Sequence, residues 1–309
     1  MARIAADVTW LVGRTPLVEL STMAPAGTRL LGKLEAWNPT GSNKDRAALA
    51  MIRHAERSGF LKPGGTVVEC SSGDLGLAVA TMGRRLGYRV VLTMPESVTG
   101  PRRAMLQALG AEIVTTPVAE GMRGSMARTE QIAKQTPGAV CLQAFTNRAN
   151  SRIHAETTAR EIWEDTDGTV GLVVVPVGTG GTAAGCAAFF RELGVAVVGV
   201  QPAASPVLTG GNPGLHDIPG IGAGIIPDIL VPGDLASIVD VSDADASNGV
   251  RMLAARESLL LGPASGAVAH AAMALATTPR WNRSTIVAVL PDSGERYWDH
   301  AALRQDGTR

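Results

Sequence analysis

The chain has 309 residues, enough for one large or two medium domains, with 45% hydrophobic and 18% charged residues. Its formal net charge is zero, which removes the electrostatic footprint of a nucleic-acid binder and argues against a membrane-surface protein. No apolar run approaches a membrane span, and Met1-Ala2-Arg3-Ile4 lacks the apolar core of a signal peptide. The three cysteines, Cys70, Cys141 and Cys186, are far apart and odd in number. They read as buried thiols in a reducing, cytoplasmic setting.

The pattern along the chain is strand, glycine-rich turn and helix, many times over. Residues 29–37 read as a strand leading into Asn38-Pro39-Thr40-Gly41-Ser42-Asn43-Lys44. Residues 44–58 read as a helix with Ser42 as its N-cap, Ala48, Met51, Ile52 and Ala55 on one face and Gly59 as the stop. Residues 66–70 form a short apolar strand, and Ser71-Ser72-Gly73-Asp74 then turns into a helix running to Leu86. Strands follow at 89–94 and 112–115, with a helix between them ended by Gly110. The continuous apolar run 172–177 suits a strand buried on both faces. Gly178-Thr179-Gly180-Gly181-Thr182 comes next, then an Ala-rich helix to Leu193 and a strand at 195–200. Residues 202–232 are rich in Gly and Pro and read as a long loop. A helix starts at Ser242 with Asp245 placed for a capping box, and 285–290 is the last strand. This alternation implies an α/β architecture with parallel sheets, in which ligands collect at the carboxyl ends of strands. A boundary near residue 147 separates two strand–helix series.

Lys44 stands out because it opens a helix. The positive end of the helix dipole disfavours a cation there, so the neutral amine that Schiff-base chemistry needs is more accessible. The turn at Gly178–Thr182 offers N–H groups and two hydroxyls to an anion, or is simply a tight turn; it lacks the endings of the nucleotide loops. Ser71-Ser72-Gly73-Asp74-Leu75-Gly76 is either a carboxylate site or a helix start capped by Ser72 or Asp74. Ser265, in the turn into the helix of His270, is a ring-nitrogen partner or a cap. Glu295 and Arg296 read as a local charge pair. His54, His154, His216, His270 and His300 have no metal-ligand spacing, and no serine-hydrolase elbow is present, so no metal is expected.

A Schiff-base lysine, a phosphate nest and a ring-nitrogen partner together match pyridoxal 5'-phosphate. The chain resembles the cysteine synthase (O-acetylserine sulfhydrylase) family of fold-type II pyridoxal-phosphate enzymes over essentially its whole length. Gly13-Arg14-Thr15-Pro16-Leu17, the Lys44 segment, Gly178 to Thr182, Gly220-Ile221-Gly222-Ala223-Gly224 and Pro291 to Tyr297 appear in the family's order. The resemblance implies two three-layer α/β domains with mostly parallel twisted sheets, as in tryptophan synthase β. Residues 1–147 would carry Lys44 and the substrate loop, with the first segment packing on the other domain, and residues 148–309 the phosphate loop. It also implies a homodimer. Lys44 would hold the cofactor and shuttle the substrate's α-proton. Gly178, Thr179, Gly180, Gly181 and Thr182 would hold the phosphate, Ser265 the pyridine nitrogen, and Asp74 would sit in the cofactor shell. Ser71, Ser72, Gly73, Leu75, Ala144, Phe145 and Gly222 would face the amino-acid substrate. The implied reaction is β-replacement on an O-activated L-serine through an aminoacrylate, by default O-acetyl-L-serine plus sulfide giving L-cysteine. Its partners are therefore small molecules, with no nucleic acid and no membrane.

The departures lie on the substrate side. The family usually has Thr-Ser-Gly-Asn-Thr-Gly at residues 71–76; here the asparagine is Asp74 and the second threonine Leu75. A family glutamine aligns with Ala144 and a proline with Arg148, a new positive charge, while Phe145 fits the pattern. An ionised Asp74 about 4 Å from a substrate carboxylate would cost roughly 4 kcal/mol at an effective dielectric near 20. Asp74 is therefore protonated, turned away or paired with a cation. The alternatives are a 2,3-diaminopropionate-type synthase using an amine nucleophile, a β-elimination lyase or dehydratase of the same fold, or a non-catalytic homologue acting as a binding partner. The intact Lys44 counts against the last.

Overall fold

A computed structural model describes residues 4–71 and 73–303, so Ser72 lies outside the described residues. The chain divides into two compact units. The first holds residues 4–12, 38–40 and 44–150, and the second holds 13–37, 41–43 and 151–303. One of the crossings between them is the peptide bond between Asn43 and Lys44.

Strands β1 (Leu17–Glu19) and β2 (Arg29–Leu34) belong to the second unit. The strand expected to reach Trp37 stops at Leu34, and Glu35–Trp37 is a 3-10 turn. Glu35 turns inward there, and the Thr15 hydroxyl donates to its carboxylate at 2.6 Å.

The first unit then runs α1 (Lys44–Arg57), β3 (Thr66–Cys70), α2 (Asp74–Arg85), β4 (Arg89–Pro95), α3 (Gly100–Ala108), β5 (Glu112–Thr116), α4 (Gly121–Gln135) and β6 (Ala139–Cys141). Its four-stranded sheet has the order β5-β4-β3-β6 and is parallel throughout. The predicted stripe of α1 is buried, and the helix ends ahead of Gly59 at φ +73°. On one sheet face Val67, Val90, Leu92 and Met94 share a core with Met51, Ile52, Val79 and Met82 of α1 and α2.

The other face meets α4 through hydroxyls. Those of Thr93 and Thr129 lie 2.6 Å apart, and both reach the Ser125 carbonyl, at 2.8 and 2.9 Å. Thr116 and Ser125 share a further bond of 2.7 Å. Low dielectric strengthens such bonds and makes each loss expensive.

Helix α5 (Arg148–Ile153) begins in the first unit and ends in the second, which then adds a π-helical turn (His154–Ala159), α6 (Arg160–Asp165), β7 (Val170–Pro176), α7 (Gly181–Arg191), β8 (Ala196–Pro202), β9 (Ser237–Val241), α8 (Asp243–Glu257), α9 (Pro263–Ala276) and β10 (Thr285–Leu290). Its sheet order is β1-β2-β10-β7-β8-β9, with only β1 antiparallel to its neighbour. Strand β7 is buried on both faces as expected. Leu172 and Val174 join the core with α9, and Val173 and Val175 the core with α7. Both units are therefore helix–sheet–helix sandwiches. The Ser242 hydroxyl caps α8 by accepting from the N–H of Asp245 at 3.1 Å. Among the described residues no helix is long and apolar enough to cross a membrane.

The cysteines are unpaired, and Cys70 and Cys186 are buried as expected. Cys141 is only partly buried, because β6 is a three-residue strand at the sheet edge. The polar face under α4 sets a test. Thr93→Val removes a hydroxyl shared by Thr129 and the Ser125 carbonyl, and should destabilise the protein by about 1–3 kcal/mol in urea unfolding.

Candidate active site

Helix α1 starts at Lys44 itself. Ser42 is therefore too far back to be its cap. It forms an antiparallel bridge with Asp292 instead, because residues 41–43 lie along residues 291–293. The N–H of Asn43 donates to the Pro291 carbonyl, and that of Ser293 to the Gly41 carbonyl, both at 3.0 Å. Gly41 is required here: its φ is +77°, and the Arg296 guanidinium lies where a side chain would go. The loop is closed from the helix by Asp45, which accepts from the Thr40 N–H (2.9 Å) and hydroxyl (2.7 Å). One contact then fixes where Lys44 begins. The amide of Asn43, the residue before it, donates to the Thr182 hydroxyl at 3.0 Å, and both groups are buried.

Thr182 is in the first turn of α7, after the glycine-rich turn. Gly180 is left-handed at φ +84°, and a Cβ on Gly178 would collide with the Gly220 carbonyl oxygen. The Gly220–Gly224 segment is held against the end of β7 by the Gly222 N–H, which donates to the Val177 carbonyl at 3.0 Å. Gly222 has φ +63°, and its carbonyl accepts from His216 Nε2 at 2.9 Å. The first intrahelical bond of α7 runs from Ala184 N–H to the Gly180 carbonyl, so the N–H groups before it face the turn. The Thr182 hydroxyl accepts from Asn43 and lies 3.3 Å from Nε2 of His154, whose Nδ1 meets the Thr158 hydroxyl at 2.9 Å. That pattern is satisfied by the tautomer protonated at Nδ1, with Thr182 donating to Nε2. The donors left to the cradle by Thr182 are thus backbone N–H groups at a helix N-terminus. Such a cradle, kept open by Gly178 and Gly180, fits a phosphate monoester.

Ser265 is fully buried near the start of α9, whose N-cap position is Gly262 and lacks a capping side chain. Asp292 supplies the missing carboxylate: Oδ1 accepts from the Ser265 N–H at 2.8 Å and from its hydroxyl at 2.7 Å. A negative charge at a helix N-terminus is favourable. Local sequence does not reveal this pair, because the two residues lie 27 positions apart.

The remaining candidates belong to the first unit, in turns that leave the carboxyl ends of β3 and β6. The Ser71 hydroxyl, not Asp74, caps the turn, accepting from the N–H of Gly76 (2.9 Å) and of Gly73 (3.3 Å), while the expected cap at Ser72 lies outside the described residues. Asp74 is 6% exposed, and its Oδ1 lies 3.7 Å from Nη1 of Arg102 on α3. Of the three states open to Asp74, the paired one is observed. Leu75 joins the apolar core with α1. Ala144 is fully buried and Phe145 half-buried, while Arg148 is exposed.

Glu69 ties the two turns together. Its Oε1 accepts from the N–H of Cys70 at 2.9 Å, the N–H groups of Ala144 and Gln143 also favour its ionised form, and Gln143 is left-handed at φ +54°. Burial pushes the Glu69 carboxyl up to about 7, although those N–H groups pull the other way. The same burial, with Glu69 nearby, pushes the thiols of Cys70 and Cys141 up to about 12.

A helix-opening lysine, an anion cradle and a capped serine in two parallel-sheet units define the class: an α/β enzyme built for a phosphorylated aldehyde cofactor. Residues 8–292 match the family described as "Pyridoxal-phosphate dependent enzyme". The chain is 41% identical to a probable cysteine synthase of Bacillus subtilis over 303 residues, covering 96% of this chain and 97% of that one. A cysteine synthase structure from Entamoeba histolytica superposes with a TM-score of 0.93 at 37% identity, covering 99% and 93%. An O-ureido-L-serine synthase structure does so at 0.94 and 33%, covering 99% and 98%. The chain belongs to the pyridoxal-phosphate dependent enzymes, within the cysteine synthase family.

Glu69 sets a pH test. Folded, it keeps its proton up to about pH 7; unfolded, it releases it near 4.5. Its contribution to stability is therefore complete below 4.5 and lost as the pH rises through about 7. Glu69→Gln, which keeps an oxygen for the Cys70 N–H, should flatten the fall in unfolding free energy across that window in urea titrations.

Proposed function

We propose that this enzyme replaces the β-substituent of an O-activated L-serine, by default converting O-acetyl-L-serine and sulfide into L-cysteine. The contact that carries the reading is Asn43 to Thr182, which fastens the residue ahead of Lys44 to the first turn of the anion cradle. The relatives support it: proteins so similar over nearly their whole length are a probable cysteine synthase and a cysteine synthase.

When bound, pyridoxal phosphate supplies the electron sink that makes the substrate's α-proton removable. This chain's residues do the rest. Lys44 Nζ would hold the cofactor through its aldehyde carbon, and the same amine would take and return the proton at the substrate's Cα. Its place at the positive end of α1 favours the neutral amine that both tasks need. The N–H groups of Gly178, Thr179, Gly180, Gly181 and Thr182 would hold the phosphate, and Asp74 would belong to the cofactor shell. Ser265, fixed by Asp292, would partner the ring nitrogen. Ser71, Gly73, Leu75, Ala144, Phe145 and Gly222 hold the amino acid, with Ser72 assigned to the same group. The reading includes two domains divided near residue 147, a homodimer and a cytoplasmic location, each supported by the resemblance to the cysteine synthases.

A second reading takes an amine as the nucleophile. It is favoured by Leu75, an apolar residue where the family offers a hydroxyl, and by the charged Asp74. The O-ureido-L-serine synthase neighbour supports the idea that this fold accommodates more than one β-replacement.

Product analysis decides. Holoenzyme given O-acetyl-L-serine and sulfide should yield L-cysteine, and borohydride should fix the cofactor on the Lys44 peptide. Pyruvate with no β-substituted amino acid, whatever nucleophile is offered, sinks the synthase reading in favour of a lyase. Asn43→Ala breaks one buried hydrogen bond, worth about 0.5–1.5 kcal/mol, and should weaken cofactor retention roughly two- to tenfold by equilibrium dialysis.

A further inference from the structure

Arg102 lay outside every motif that the sequence pointed to. It is in the first turn of α3, and its guanidinium is 18% exposed beside the 6% exposed Asp74 carboxylate, at 3.7 Å. Asp74 opens α2 in the turn where the carboxyl end of β3 delivers the chain, the usual ligand position in a parallel sheet. An unbalanced carboxylate there repels any anionic substrate; an unbalanced guanidinium attracts it; the two together present no net charge.

We propose that Asp74 and Arg102 act as one neutral pair, and that Arg102 is a specificity-determining residue for the substrate's α-carboxylate. The proposal rests on the β-replacement reading and deepens it. The pair stands where a neutral asparagine serves in the resembled family, and it balances charge with a partner 28 residues away in the chain. Such a pair differs from an asparagine in one testable respect: each half alone changes the charge of the site, in opposite directions. Loss of Arg102 leaves the substrate carboxylate facing a carboxylate, and loss of Asp74 leaves it facing a guanidinium.

The test is a double-mutant cycle on the holoenzyme, read as KM for O-acetyl-L-serine and as equilibrium binding of L-serine against L-serinamide. Arg102→Met should raise KM about tenfold or more and erase the preference for the carboxylate ligand, with kcat changing by less than roughly threefold. Asp74→Asn should lower KM, strengthen the preference and make both more sensitive to salt. The double variant should return to within about threefold of the parent, and Arg102→Lys should keep most of the preference. Additive losses in the two single variants, or an unchanged preference in Arg102→Met that remains folded by circular dichroism, overturn the proposal. The binding arm needs no turnover. Absence of β-replacement with the charge pattern intact therefore refutes the reaction and leaves the pair standing.

Discussion

The structure depends on one tether, the amide of Asn43 held by the Thr182 hydroxyl. A flexible lysine side chain is placed well only where the backbone leading into it is fixed. Here the fixing is redundant: residues 41–43 also pair with 291–293, and Asp45 closes the loop from the helix side. The tether is itself supported, because Thr182 meets His154, and the imidazole is oriented by Thr158. Each partner satisfies a buried polar group that would otherwise cost more than the bond returns. The position of Asn43, the residue ahead of Lys44, is thus set by the buried polar groups of the second unit.

Carboxylates at helix starts form the second layer. Asp292 caps α9 across 27 residues and fixes the Ser265 hydroxyl in the same bonds. Asp74 opens α2 and is balanced by Arg102. In both places the helix dipole favours the negative charge, so the acid costs little where it stands. The difference is what else each one holds. Asp292 spends its Oδ1 on a neutral hydroxyl and a backbone N–H, whereas Asp74 faces a full positive charge. The first arrangement fixes a geometry and the second sets a charge.

Much of this was legible in the chain, for physical reasons that also explain the rest. Helix α1 and strand β7 announce themselves because their buried faces are apolar and periodic. Helix α4 was silent because the residues it buries are Ser125 and Thr129, so its inward face reads as polar. The two turns into helices were visible from glycines and hydroxyls. Their actual caps were not, since Ser71 precedes the expected position and Asp292 comes from a distant strand end. Ser42 was misread for a related reason: a residue with good capping chemistry was claimed by a strand-like pairing that local sequence does not encode. Glu69 and Arg102 escaped because an isolated charged residue carries no periodicity. Only the fold supplies their partners.

The distribution of the departures has a physical sense. The resembled family's motif survives at Gly178–Thr182 and Gly220–Gly224, where the backbone is crowded. A side chain at Gly178 meets the Gly220 carbonyl, and Gly180 and Gly222 are left-handed. Substitution there is blocked by sterics, whatever the substrate. The turns after β3 and β6 are organised differently: Ser71 and Glu69 accept from backbone N–H groups, and Asn147 and Asn150 donate to the Leu142 and Ala144 carbonyls. Leu75 and Ala144 could therefore change without removing the side chains that make these bonds. Leu75 found an apolar core, Ala144 a fully buried position, and Asp74 a cation. Crowded backbone thus holds the glycine-rich turns to one sequence, whereas the turns after β3 and β6 accept new side chains that find their own partners.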